Sequence, residues 1–133
     1  MTEVVVTYHG EEYSDYTVNE CGDIYSLKSG KYLTANSDTT CPYPRVTLTK
    51  NGRPKKVLVH RVVAEAFVTL GCPQNSGISE EEWEQSPNSI KTFIMKNMIV
   101  NHIDHDKLNY SPDNLEWVTQ EENAHARNKF YGI

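Results

Sequence analysis

The reading of the chain turns on Val100-Asn-His-Ile-Asp-His-Asp-Lys-Leu-Asn-Tyr-Ser-Pro-Asp-Asn-Leu-Glu-Trp-Val-Thr-Gln-Glu-Glu-Asn123. Met98 to Ile103 and Leu115 to Val118 are short apolar runs that read as strands. Alternation along the first puts Ile99 and Asn101 on one face and Val100 and His102 on the other. The polar stretch between them, Asp104 to Asp113, is too long for a two-residue hairpin turn. It needs side-chain hydrogen bonds to hold its shape, and Asn114 is placed to supply them. Thr119, with Glu122 three residues later, makes a capping box that starts a helix running to about Asn128, with Asn123 on its first full turn.

A strand, turn, strand and helix joined in this way let His102 and Asn123 face one small pocket. Asparagine carbonyl oxygens are hard ligands suited to Mg²⁺, which takes few protein ligands and leaves room for water and phosphate. A neutral imidazole beside such an ion can take a proton from a water attacking phosphorus, while the ion stabilises the leaving oxygen and the charged transition state. The stretch therefore reads as a site for phosphodiester hydrolysis.

Around it, 133 residues of which 38% are hydrophobic fit one domain with a modest core. No apolar run approaches the roughly 18 residues of a membrane-spanning helix, and the N-terminus has no signal-peptide pattern, so a soluble cytoplasmic protein is expected. Cys21, Cys41 and Cys72 are odd in number and widely spaced, which predicts reduced thiols and no structural zinc. The net charge of −5 hides a strong segregation. Lys28 to Arg61 holds eight cations (Lys28, Lys31, Arg45, Lys50, Arg53, Lys55, Lys56, Arg61) against one anion, Asp38, a net of +7. Acids gather before it, from Glu11 to Asp23, and after it, from Glu80 to Glu84. Such a distribution suits a phosphate-facing surface on an otherwise acidic chain.

Taken in order, Val4 to Tyr8 reads as a first strand, and Tyr16 to Val18 and Asp23 to Leu27 as a hairpin about the Cys21-Gly22-Asp23 turn. Thr34 to Pro44 is a loop by composition. Arg45 to Thr49 and Lys55 to Val59 alternate on either side of Asn51-Gly52, a pair that tolerates the positive φ of a tight hairpin. Arg45, Thr47 and Thr49 share its polar face, opposite Val46 and Leu48. From His60 to Leu70 the period lengthens, and Val63, Ala66, Phe67 and Leu70 make the core face of an amphipathic helix ended by Gly71-Cys72-Pro73. Pro73 to Asn97 is an excursion. Within it Ser79 and Glu82 cap a short acidic helix over Glu80 to Gln85 docked by Trp83, and Ile90 to Met98 forms a further helical turn.

At this point the chain resembles a known family, the HNH endonucleases, and in particular the homing-type enzymes of phages. Tyr16-Thr-Val-Asn19, Gly22-Asp23-Ile-Tyr25-Ser26 and Lys28-Ser29-Gly30 resemble the N-terminal module of that group, and Val59-His-Arg-Val-Val-Ala-Glu-Ala-Phe67 its helix. Asn101-His-Ile-Asp104, Asp113-Asn-Leu-Glu-Trp-Val-Thr119 and Glu122-Asn-Ala124 resemble its ββα-metal finger. The resemblance implies an α+β fold in one domain. Small antiparallel β hairpins would occupy residues 1–59, a helix 60–71, an insertion 72–97 and the finger 98–130.

By the same resemblance His102 matches the general base, and Asn114 the central asparagine that braces the finger and orients the histidine. Asn101 and Asn123 match the ligands of one divalent ion, Mg²⁺ or Mn²⁺. Lys28, Arg45, Lys50, Arg53, Lys55, Lys56, His60 and Arg61 are expected to meet DNA. The implied activity is metal-dependent cleavage of double-stranded DNA, with one strand nicked, by a monomer (a homodimer being the alternative) in the cytoplasm of a phage-infected bacterium. His105 stands where relatives usually carry glycine, and Tyr110 where asparagine is common. A chain ending at Ile133 is expected to lack the C-terminal helical modules that give longer homing enzymes their site preference. The competing expectation is a DNA- or protein-binding module that keeps the fold without catalysis, motivated by the uncharged ligand pair and the acidic insertion.

Overall fold

In the computed structural model, which describes residues 2–37, 41–72 and 77–119, the N-terminal strands form one antiparallel sheet. Its order is β1 (Val4–Tyr8), β2 (Glu11–Val18), β3 (Ile24–Ser26) and β4 (Lys31–Tyr32). β2 begins earlier than the sequence pattern predicts, because Tyr13 and Tyr16, three residues apart, disguise the alternation. Both are nonetheless buried: the pairing of β1 with β2 shifts register between Val5 and Val6, and that irregularity turns both rings inward. The turn into β3 is built on Asn19, itself only 5% exposed. Its Oδ1 accepts from the N–H groups of Cys21 and Asp23, both at 3.0 Å, and its Nδ2 donates to Asp23 at 3.3 Å.

β5 (Arg45–Lys50) and β6 (Arg53–Leu58) form the expected hairpin, with Asn51 and Gly52 at φ 53° and 75°. Two buried tyrosines dock it on the N-terminal sheet, the Tyr16 hydroxyl accepting from Thr49 N–H (2.9 Å) and the Tyr8 hydroxyl from Leu58 N–H (3.4 Å).

The helix α1 follows β6 without a break and spans Val59–Phe67, shorter than the stretch to Leu70 that periodicity suggests. Its buried residues are Val59 through Ala64 in unbroken succession, because its first turns are enclosed by β1, β6 and the strands of the finger. The expected core face therefore holds only in part: Val63 is central, while Ala66 and Phe67 pack at the edge of the core.

α2 (Glu80–Gln85) opens with the Ser79–Glu82 capping box, both reciprocal bonds being 3.1 Å, and buries Trp83. α3 (Asn88–Lys96) begins and ends two residues before the Ile90–Met98 stretch expected to be helical. β7 (Ile99–His102) and β8 (Leu115–Val118) then pair antiparallel, with Asn101 opposite Glu116 and His102 opposite Leu115. Val100 and Leu115 join the main core. Trp117 donates its indole N–H to Val68 O (2.9 Å), so it ties the finger to the end of α1. The capped helix expected from Thr119, and Asn123 with it, lie outside the described residues.

Candidate active site

The long turn between β7 and β8 is assembled from side chains. Asn114, at the end of a 3₁₀ turn over Pro112–Asn114, points its amide back into the loop. Its Oδ1 accepts from Asp104 N–H at 3.0 Å, and its Nδ2 donates to Asp104 Oδ1 and to Asn109 O, both at 2.9 Å. Asp104 also accepts from Asn109 Nδ2 (2.9 Å) and Asp106 N–H (2.8 Å). These bonds, that from Asn109 foremost, hold the Asp104 carboxyl below its ordinary pKa. His105 takes φ 63°, the left-handed region where glycine is at ease. Tyr110 packs from the turn onto Gly22, where an added Cβ would overlap its ring, so this tyrosine clasps the finger to the N-terminal sheet.

On the inner face of β7, His102 is 4% exposed and sits in a cluster of rings. The His60 ring lies 4.6 Å away and the Tyr43 ring stacks at 5.5 Å and 27°, with Tyr43 and His60 themselves 5.1 Å apart. Lys107 Nζ lies over Tyr43 at 5.4 Å. His102 Nε2 and His60 Nδ1 are both buried without a hydrogen-bond partner among the described residues. Each such atom costs about 1–3 kcal/mol, and groups of this kind persist where they have chemistry to perform. Burial lowers the pKa of His102, with Asp104 and Asp106 opposing and Lys107 reinforcing the shift. Burial, then the neighbouring His102 and Arg61, push His60 down to about 3. Both rings are therefore neutral at pH 7.

A cavity of about 460 Å³ opens beside this cluster, lined by Ile99, Val100, Asn101 and His102 together with Tyr43, His60, His105 and Lys107. Residues from both faces of β7 line it, so it runs along the edge of that strand that has no partner strand among the described residues. Asn101 donates Nδ2 to Glu116 Oε1 at 2.9 Å, and among the described residues its Oδ1 has no partner. A hard amide oxygen on Asn101 and an orphaned imidazole nitrogen on His102, two residues of one cavity lining, fit an ion that takes few protein ligands. Among the described residues no group of three or more His, Cys, Asp or Glu side chains could hold an ion unaided. Among the described residues Cys21, Cys41 and Cys72 form no disulfide with one another.

The residues expected on a DNA face do not share one surface. Lys56 and Arg45 share one face of the β5–β6 hairpin with Thr47 and Thr49, while Lys50, Arg53 and Lys55 lie on the other face near Glu11 and Tyr13. Lys50 pairs with Glu11 (3.3 Å) and donates to Glu12 O (2.7 Å), and Lys28 pairs with Asp15 (3.5 Å) at 80% side-chain exposure. Exposed pairs of this kind are weak and exchange readily for phosphate. Arg61 requires a correction. It is 5% exposed, pairs with Glu65 at 3.0 Å, donates to Met98 O (2.7 Å) and Met95 O (2.9 Å), and lies 5.3 Å over the Trp117 ring. Its guanidinium knits α1 to the chain leading into β7, and is enclosed there rather than offered to a phosphate. His60, also buried, belongs to the ring cluster instead of the hairpin surface.

Sequence reasoning missed Tyr43, Lys107 and Glu116. Tyr43 lies in a loop with no periodic signal. Glu116 was legible in principle, because the strand pairing that places His102 opposite Leu115 also places Asn101 opposite Glu116.

Known proteins resemble this chain in sequence and in fold. Residues 93–125 match the family model described as HNH endonuclease. The chain is 32% identical over 111 residues to H-N-H endonuclease F-TflII of Escherichia phage T5, covering 84% of this chain and 46% of that protein. It is 33% identical over 109 residues to DNA endonuclease I-HmuI of Bacillus phage SP01, covering 82% and 49%. A solved structure, described as DNA binding and cleavage by the HNH homing endonuclease I-HmuI, superposes with a TM-score of 0.68 at 28% identity, covering 100% of this chain and 61% of that one. The chain thus spans about half the length of the curated relatives it matches.

Proposed function

We propose, on the premise that the chain belongs to the HNH endonuclease family, that it is a metal-dependent endonuclease that nicks double-stranded DNA. The observation that carries this reading is His102, a neutral imidazole packed between other rings, whose buried Nε2 has no hydrogen-bond partner among the described residues and which lines a cavity together with Asn101. His102 accepts the proton of the attacking water at Nε2. The His60 and Tyr43 rings restrict its rotation, so little reorganisation is needed when phosphate arrives. Asn101 presents Oδ1 to a Mg²⁺ or Mn²⁺ ion, and Asn123 is assigned as the second ligand. When bound, the ion supplies Lewis-acid stabilisation of the charge that develops at the leaving oxygen and phosphoryl group.

Asn114 acts at one remove, fixing Asp104 and Asn109 so that the backbone following His102 has a single course. Lys107 and His105, on the cavity wall, face the incoming phosphates. The cations of the β5–β6 hairpin hold the flanking duplex by their charge. One such centre per chain cuts one strand, so a monomer nicks. The phage origin of the T5 and SP01 relatives supports the cytoplasm of an infected bacterium as the place of action.

Supercoiled plasmid incubated with the protein and Mg²⁺ or Mn²⁺ tests the proposal. Conversion to the relaxed form, stopped by chelation and absent with His102→Ala, is the expected result. Equal relaxation by wild type and His102→Ala would refute it.

A further inference from the structure

We infer that Glu116 is a positioning residue for the ion site. Its carboxylate holds the Asn101 carboxamide with Oδ1 turned toward the cavity, and it gives an otherwise uncharged ligand set its negative charge. The inference rests on the reading of Asn101 as an ion ligand.

Asn101 and Glu116 are direct cross-strand partners in the β7–β8 pair, so their side chains rise from the same face of the ribbon at adjacent positions. Asn101 Nδ2 donates to Glu116 Oε1 at 2.9 Å, a hydrogen bond strengthened by the ionised acceptor. A carboxylate cannot donate, so it selects one of the two amide orientations: the NH₂ faces Glu116, and the carbonyl oxygen faces away from it. Without that partner the amide is free to flip, and in the flipped state it offers two N–H donors to a cation. The same bond draws electron density toward Oδ1 and makes it a better ligand, as the outer-shell partners of metal-binding side chains do.

Two further observations single out this carboxylate. The cavity wall carries Lys107 and three histidines, His60, His102 and His105, but, among the described residues, no acidic one. Glu116, bonded to a wall residue, is thus the anion joined directly to the proposed ligand. It is also uncommitted elsewhere. Among the described residues its one hydrogen-bond or ion-pair partner is Asn101.

Binding of Mn²⁺ to the full chain, followed by electron paramagnetic resonance with and without a short DNA duplex, tests this independently of cleavage. Glu116→Ala should weaken Mn²⁺ binding about 10- to 100-fold while leaving the unfolding midpoint near that of wild type, since the pair is exposed. Glu116→Gln should recover part of the loss, because its Oε1 accepts the same bond without the charge. A Glu116→Gln protein as weak as Glu116→Ala would overturn the positioning role. Wild-type affinity in Glu116→Ala, alongside weakened binding in Asn101→Ala, would overturn the inference and leave the ligand assignment standing. Unchanged binding in Asn101→Ala, or no Mn²⁺ bound by wild type under either condition, would overturn the assignment beneath it.

Discussion

Between β2 and β3 a short turn is closed by Asn19, and between β7 and β8 a long one is closed by Asn114. Each asparagine spends both ends of its amide on the loop it faces. Asn19 is buried, and the strands on either side belong to a continuous four-stranded sheet that would bring the chain back in nearly the same place without it. Asn114 is only partly covered, its strands pair with no third strand among the described residues, and the rest of its loop is fixed by the exposed side chains of Asp104 and Asp106 and the half-buried one of Asn109. The first turn is set by the sheet and finished by its asparagine. The second is held in shape by its asparagine and the side chains around it. Tyr110 seated on Gly22 joins the two turns.

The largest expected effect removes a support shared by the N-terminal sheet and the approach to β7. Glu65 accepts the N–H groups of His9 (2.8 Å) and Gly10 (3.1 Å) at the first turn of the sheet, while Arg61 binds Met95 O and Met98 O at the approach to β7. The side chains of Arg61 and Glu65 are 7% and 0% exposed. Arg61→Ala would leave the Glu65 carboxylate buried without its counter-charge, and should cost about 3–5 kcal/mol in urea unfolding. A cost below about 1 kcal/mol would mean that Arg61 is not enclosed as described, and would restore it to the DNA face.

The comparison itself is sharpened by paired substitutions. Asn19→Ala strands two N–H donors near the core and should cost about 2–3 kcal/mol, with cleavage by the folded fraction unchanged. Asn114→Ala should cost less, about 1–2 kcal/mol, yet slow cleavage by roughly 100-fold, since a small misplacement of catalytic groups is enough. Equal losses of activity in the two proteins would erase the distinction between the turns.

Acid should separate them too. His60, at about 3 when folded against an ordinary 6.5, binds fewer protons folded than unfolded between those values. Stability is therefore full above pH 6.5 and falls as pH drops toward 3. His60→Phe should flatten that decline in denaturation midpoints measured across the range. Asp104, depressed from 3.8, adds a loss below that value that belongs to the finger turn alone.

Much of this is legible in the residues. Asn51-Gly52, the Ser79–Glu82 cap and the faces of β7 can be read directly because each is local: two φ angles, one pair of reciprocal bonds, one alternation. Environment is what a linear pattern hides. His60 and Arg61 follow a cationic hairpin and so read as surface, yet β1, β6, β7 and β8 close over the start of α1, and nothing in the order of residues says that this part of the helix is enclosed. Glu116 reads as a polar residue between two apolar ones, since its importance depends on what stands across the ribbon.

The smallest expected effect concerns the hairpin surface. Neutralising Arg45 and Lys56 should weaken DNA affinity alike for every sequence and lower the salt dependence by about one unit for each phosphate no longer neutralised. An unchanged slope would move the DNA face elsewhere on the molecule.

The central claim, that His102 is the base of the finger, is tested most directly by single-turnover cleavage of an end-labelled duplex at about pH 7 with saturating Mg²⁺. His102→Ala should lower the rate by about 10²–10⁴-fold while binding the duplex as wild type does. A His102→Ala rate within a few-fold of wild type would contradict it.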